Sequence, residues 1–245
     1  MDAALRSAAA LGPYFVWEPW DRDPAWRPLT DLLNPEVVAE RVGVARQALV
    51  RMSGLSPGEI GEREVASITF LGYASRLVSP FLGAAALTGE RPAARIEDLW
   101  WRPVGGGPLP VAYAQVGEGE PLAVTEALLL VFARRFGLPE HLLWGNVASA
   151  LGGAAGMIAD ARPEHAERAA RVVERLLSHP PLAGTAVLER PDAERARWFL
   201  VRRNCCLYYR IPGGGTCGDC VLTPPDTRRR QWQRVLSRVG PRRLD

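Results

Sequence analysis

The sequence predicts a mainly α fold with a small β-hairpin or sheet, α+β in class: a helical body followed by a cysteine-bearing C-terminal loop. Three observations carry this. Apolar residues recur at three- and four-residue spacing through most of the chain, the period of a helix face. One stretch, residues 93–117, breaks that period, with two apolar runs flanking Val104-Gly105-Gly106-Gly107-Pro108. That is the pattern of a β-hairpin with a flexible tip. Finally, all 4 cysteines of the 245 residues fall between Cys205 and Cys220.

Residues 1–12 are Ala-rich and read as a helix that Gly12-Pro13 stops. Residues 13–28 hold Tyr14, Phe15, Trp17, Trp20 and Trp26 among four prolines, without periodicity. They read as an extended strap whose aromatics pack on the body. Residues 35–53 read as a helix, with Asn34 as cap, Pro35 as first helical residue and Gly54 as stop. Val38, Val42, Ala45, Leu49 and Met52 make its apolar face. A longer helical pattern covers residues 60–88, and Pro80 is expected to kink or split it.

After the hairpin, helices are expected from Thr125 to Phe136, with Gly137 as stop, from Pro139 to Ile158, and from Pro163 to Ser178. The run Val147 to Ala159 is rich in Gly and Ala and reads as a tightly packed internal helix. Residues 180–197 read as a link, Trp198 to Val201 as a short buried strand, and Arg228 to Arg238 as a basic helix. Two units are therefore expected: residues 1–197, a mainly helical domain with a β insertion near 93–117, and residues 198–245, the cysteine segment with a basic tail.

The 47% apolar content is ample for a core and excludes wholesale disorder. A net charge of +3 argues against general nucleic-acid binding. All 30 basic side chains are Arg, so Schiff-base and P-loop chemistry that needs lysine is excluded. The start lacks a basic region followed by a sustained apolar core, and no run of about 18 apolar residues is seen. A cytoplasmic protein without a transmembrane segment is expected, where thiols stay reduced and available to metal. His141, His165 and His179 are scattered and read as surface or capping residues.

Four clustered thiols leave three readings open. Vicinal Cys205 and Cys206 bond to each other only with strain. A structural zinc site usually takes two C-x2-C knuckles, and only Cys217-Gly218-Asp219-Cys220 has that form. An iron–sulfur cluster also takes four thiolates, spread over more than one iron. The neighbouring residues favour the cluster: Gly213, Gly214, Gly215 and Gly218 let the backbone wrap a bulky anion, and Arg202, Arg203 and Arg210 offset its charge if they point inward.

The spacing C-C-x10-C-x2-C, with Leu207-Tyr208-Tyr209 straight after the double cysteine, resembles the terminal motif of the FhuF-like ferric iron reductases. Weaker similarity extends to Arg76-Leu77-Val78-Ser79-Pro80 and Trp144-Gly145-Asn146. The resemblance implies a [2Fe–2S] cluster on Cys205, Cys206, Cys217 and Cys220. It implies a cytoplasmic oxidoreductase of iron homeostasis that reduces a ferric siderophore, hydroxamate type favoured, by one electron. Ferrous ion leaves oxygen donors more easily than ferric. No flavin or nicotinamide motif is present, so an external electron donor such as a ferredoxin is implied. The basic tail, Arg228-Arg229-Arg230, Arg234, Arg238, Arg242 and Arg243, suits steering of an acidic donor. Trp144 and Asn146 are the candidates for chelate contact, since an indole and an amide suit a flat, oxygen-rich chelate. Cys217 with Cys220 on one iron and the vicinal pair on the other is the expected division. The alternatives are an iron–sulfur redox sensor or electron carrier, and a zinc-stapled binding protein.

Overall fold

Helix α3, Glu62–Leu87, is the centre of a mainly helical, α+β protein. The computed structural model describes residues 1–105 and 107–238. Around α3 pack α1 (Asp2–Ala9), α2 (Pro35–Ser53), α4 (Ala123–Phe136), α5 (Glu140–Ala161) and α6 (Ala166–Leu177). A last helix, α7 (Pro225–Arg238), follows the cysteines. Helix α2 starts and stops as expected: the Asn34 side chain accepts the Glu36 N–H, and Gly54 turns left-handed at φ 71°. Gly137, at φ 60°, ends α4.

Helices α3 and α5 are apolar on most faces and buried accordingly. By length and composition both reach what a membrane span needs, yet most of each apolar window lies inside the protein, as in core helices. Phe70 and Tyr73 of α3 meet Phe132 of α4 at 5.3 and 5.9 Å between ring centres. Leu82, Val147, Leu151 and Ile158 are wholly buried in the same core.

The split expected at Pro80 does not occur; α3 runs through it. Proline has no N–H, so the Arg76 carbonyl one turn back loses its helical partner. Trp17 Nε1 donates to that carbonyl at 2.9 Å instead. The strap thus closes the gap that the proline opens.

The expected hairpin is present as β4 (Leu99–Trp101) and β5 (Val111–Tyr113), antiparallel with Leu99 opposite Tyr113. The strap, expected as extended chain only, adds two short strands to it. β1 (Glu18–Pro19) runs parallel to β5 and β2 (Arg27–Pro28) antiparallel to β4, giving the order β1-β5-β4-β2. Trp20 stacks on Trp100 at 3.9 Å, so the aromatics pack as expected. Pro92–Ala93 (β3) pairs with Gly117–Glu118 (β6) in a second small ladder.

The link 180–197 contains a strand that the sequence reading missed, β7 (Ala186–Glu189). It pairs antiparallel with β8 (Phe199–Arg202), Ala186 opposite Arg202. A four-residue strand carries too little alternation to stand out by itself. The ladder crosses residue 197, the boundary expected between the two units. In the basic tail, Arg229, Arg230 and Arg234 are exposed on α7, whereas Arg228 reaches back to the Cys220 and Thr223 carbonyls. Arg242 and Arg243 lie outside the described residues, as does Gly106 of the hairpin tip.

Candidate metal centre

The site is built on one face of α5. An added Cβ at Gly145 falls 2.0 Å from Asn204 Oδ1, at Gly152 2.5 Å from Leu200 Cβ, and at Gly156 2.7 Å from an Arg197 guanidinium nitrogen. Spacings of seven and four residues put these glycines on one stripe. Their missing side chains let β8 and the segment after it lie against the helix backbone. This accounts for the glycine in Trp144-Gly145-Asn146 and for Gly152 and Gly156 after it.

Beyond β8 the chain turns through Asn204 into Cys205 and Cys206. Leu207 adopts a left-handed φ of 69°, and its N–H donates to Cys205 Sγ at 3.3 Å. Gly213 and Gly215, at φ 76° and 68°, carry the chain back toward Cys217. The C-x2-C turn closes with Cys220 N–H on the Cys217 carbonyl at 3.2 Å, and Leu222 N–H donates to Cys220 Sγ at 3.4 Å. Arg202 N–H donates to the Asp219 carbonyl at 3.0 Å, tying the end of β8 to this turn. Cys206 and Cys220 are buried; Cys205 and Cys217 are half-buried.

Cys206 Sγ and Cys217 Sγ lie 3.5 Å apart. The sulfur–sulfur contact therefore joins the two halves of the motif, across the expected division of Cys217 with Cys220. The two thiols titrate as a pair. Their shared hydrogen bond holds Cys206 down to about 6, while the same bond, burial and nearby negative charge push Cys217 up. Burial raises Cys205, with Cys206 and Cys220 close enough to add to the rise. Burial also raises the Asp219 carboxyl against the hydrogen bond from Ser149.

Arg202 is the inward-pointing cation of the three considered. Its side chain is among the largest that are fully buried. Nη1 donates to Asn146 Oδ1 at 2.7 Å, Nη2 to Asn204 Oδ1 at 2.9 Å and to the Leu142 carbonyl at 3.3 Å. Its charge acts on Cys205, Cys206 and Asp219. Arg203 is exposed, and Arg210 faces outward to Glu64 at 3.6 Å. Asn146 donates in turn to the Ser67 carbonyl at 2.9 Å, and Ser67 Oγ donates to the Cys206 carbonyl at 2.7 Å.

Asn146 is 0% exposed and Trp144 6%. The Asn146 amide is filled by Arg202 and Ser67, behind the cysteines, whereas Trp144 lines a separate cavity of about 400 Å³ together with Glu126 and Arg175. Asn146 thus belongs to the site as a support. Ser67 and Ser149 were invisible in the sequence because their partners lie 139 and 70 residues away. Asn204, beside the double cysteine, was the one support with a local signal.

Among the described residues, no group of three or more His, Cys, Asp or Glu side chains converges as a ready site for one metal ion. Cys205, Cys206, Cys217 and Cys220 lie near one another, and the Cys206–Cys217 contact, the amide-to-sulfur bonds and the buried cation are consistent with a [2Fe–2S] site on these four thiolates. Residues 202–222, about 8% of the chain, match the FhuF 2Fe-2S C-terminal domain. No curated protein matches the chain. The matched residues span all four cysteines together with Arg202 and Asn204, so the similarity to an iron–sulfur domain covers the site and its nearest supports.

Proposed function

We propose that the protein is a ferric-chelate reductase, which releases iron from a ferric siderophore by one-electron reduction through a [2Fe–2S] cluster held by Cys205, Cys206, Cys217 and Cys220. The observation that carries this is the meeting of the two halves of the cysteine motif, with Cys206 and Cys217 sulfurs 3.5 Å apart and the Arg202 guanidinium buried beside them. The cluster, when bound, supplies a one-electron store at the protein surface. The chain's own residues supply the rest. The Leu207 and Leu222 N–H groups stabilise negative charge on Cys205 and Cys220 sulfur. Arg202 favours the added negative charge of the reduced state. Half-buried Cys217 gives the electron an exit to solvent-borne substrate.

The balance is simple. An external donor of the ferredoxin class passes in one electron; chelated Fe(III) takes it and becomes Fe(II). Oxygen donors hold Fe(II) less tightly, so the metal leaves to other ligands. No acid–base residue is required for that step.

The test is anaerobic reconstitution followed by one turnover. Brown protein with equal iron and acid-labile sulfide, two of each per chain, is expected. Mixed in its reduced form with ferrioxamine B and a ferrous trap, it should yield about one Fe(II) per chain, as a one-electron centre requires. Colourless, zinc-only protein defeats the reading at its first step. A stable cluster that never yields Fe(II) turns it toward an electron carrier or sensor.

A further inference from the structure

A groove of about 290 Å³ opens beside Cys217. Gly152, Gly153 and Gly156 of α5 form one wall, and Phe199 stacked on Trp232 at 5.1 Å forms the other. Cys217 and Asp219 lie along it, and Trp198 stands at its side. Two of the glycines are explained by packing, since a Cβ at Gly152 or Gly156 meets Leu200 or Arg197. Gly153 is not: it is exposed, and a Cβ there meets nothing within 4 Å. A glycine inside a helix is unfavourable, so its place in α5 needs another reason. Keeping the groove open is that reason.

We infer that this groove is the chelate-docking site, and that it takes one arm of a ferric chelate of low net charge. The inference rests on the reductase reading above and adds the place of docking. The volume is at the low end for a small-molecule site, enough for one ligand arm with the rest of the chelate in solvent. Aromatic faces and a glycine shelf suit a flat, apolar-edged group. Arg197, the cation at the groove, pairs with Asp160 at 2.9 Å, and the half-buried Asp219 accepts from Ser149. The wall therefore offers no free cation to a tris-catecholate trianion. An iron held there sits against a cluster-ligand cysteine, which shortens the electron's path. The site lies at the seam between α5 and the terminal segment rather than on the Trp-rich surface of the helical body.

Calorimetry of the reconstituted, oxidised protein with the gallium(III) complex of desferrioxamine B, which is redox-inert, tests this. Gly153→Leu adds bulk on the groove wall at a position where a Cβ meets nothing within 4 Å. It should weaken binding by tenfold or more and slow Fe(II) release from ferrioxamine B at sub-saturating concentration to the same extent, with cluster absorbance unchanged. The gallium tris-catecholate complex should bind wild type at least tenfold more weakly than the hydroxamate complex. Unchanged hydroxamate binding by Gly153→Leu overturns the inference, as does equal or tighter catecholate binding. If circular dichroism shows that Gly153→Leu has lost its fold, Trp198→Ala decides by the same readings. Wild type that holds no iron and sulfide defeats the reductase reading itself; wild type that yields Fe(II) beside an unaffected groove variant defeats only this assignment.

Discussion

Two arginines lie at the bottom of this protein, Arg76 at 3% exposure and Arg202 at 1%, and they do different work. Arg76 sits on α3 under the strap and the hairpin. Its guanidinium donates to three backbone carbonyls, those of Pro13, Val16 at 2.6 Å and Leu109 at 2.5 Å. Burial pulls it down to about 10, so it stays charged at neutral pH. Arg202 sits at the end of β8 under the cysteines, held by two amide side chains and one helix carbonyl. Among the described residues neither makes an ion pair. The difference lies in what the neighbours do. Around Arg76 they are distant pieces of chain that the arginine sutures, so its charge is incidental to its geometry. Around Arg202 they hold the charge where it acts on Cys205 and Cys206, so its geometry serves its charge. Burying a cation is costly; the acceptors around Arg202 and the nearby Asp219 carboxyl offset part of that cost, and the anionic cluster proposed on the thiols would offset more.

The largest effect should come from breaking the suture. Arg76→Met leaves three buried carbonyls without donors, at about 1–3 kcal/mol each, so a stability loss of about 3 kcal/mol or more is expected. Denaturant midpoints measure it. Iron bound per folded chain should not change. A loss of cluster with stability intact would erase the distinction between the two arginines.

Next in size are the glycines under β8. At Gly145, Ala drives into Asn204 Oδ1, and that amide has little room to yield while it accepts from Arg202 and donates to the His141 carbonyl at 2.7 Å. Overpacking of this kind costs about 1–3 kcal/mol. Gly145→Ala should therefore both destabilise the protein and loosen the cluster, seen as faster iron loss to a chelator. Gly152→Ala, which meets Leu200 instead, should destabilise with less effect on iron loss.

Much of the first half of the molecule was legible in its residues. Asn34, Pro35 and Gly54 bound a helix by local chemistry that needs no partner. The four cysteines announced the site because their partners are one another. What stayed hidden was whatever depends on a distant surface. Pro80 signals a break by itself, and only the Trp17 indole, far back in the chain, makes a continuous helix acceptable. Asn146 looks like a polar residue free to bind substrate until Arg202 arrives from 56 residues away. Asn146 was thus read as open to a chelate because the sequence does not reveal which face of α5 the terminal segment covers.

The charge of Arg202 can be tested without moving it. Asn146→Asp keeps the shape and puts a carboxylate where the amide oxygen lies 2.7 Å from Nη1, at the cost of the bond that the amide donates to the Ser67 carbonyl. The pair then presents no net charge to the thiols. In the reconstituted protein the midpoint potential should fall, because the reduced state loses a favourable cation. A tenfold change in the electron-transfer equilibrium is about 59 mV for one electron. Arg202→Gln should shift it the same way and Arg202→Lys much less. Spectroelectrochemistry reads the shift. An unmoved potential in Asn146→Asp with full cluster content would reduce Arg202 to a second suture.

The smallest effect separates packing from function on a single helix. Gly153→Ala adds a methyl to an exposed position of α5 that meets nothing. Helix propensity alone then predicts a gain of about 1 kcal/mol in stability, opposite in sign to Gly145→Ala eight residues earlier. If the gain is measured by denaturant midpoint, the glycine is held against the stability of the fold, and the open groove is the remaining account of it. If Gly153→Ala destabilises as Gly145→Ala does, then the whole glycine face of α5 serves packing and the contrast between its two ends disappears.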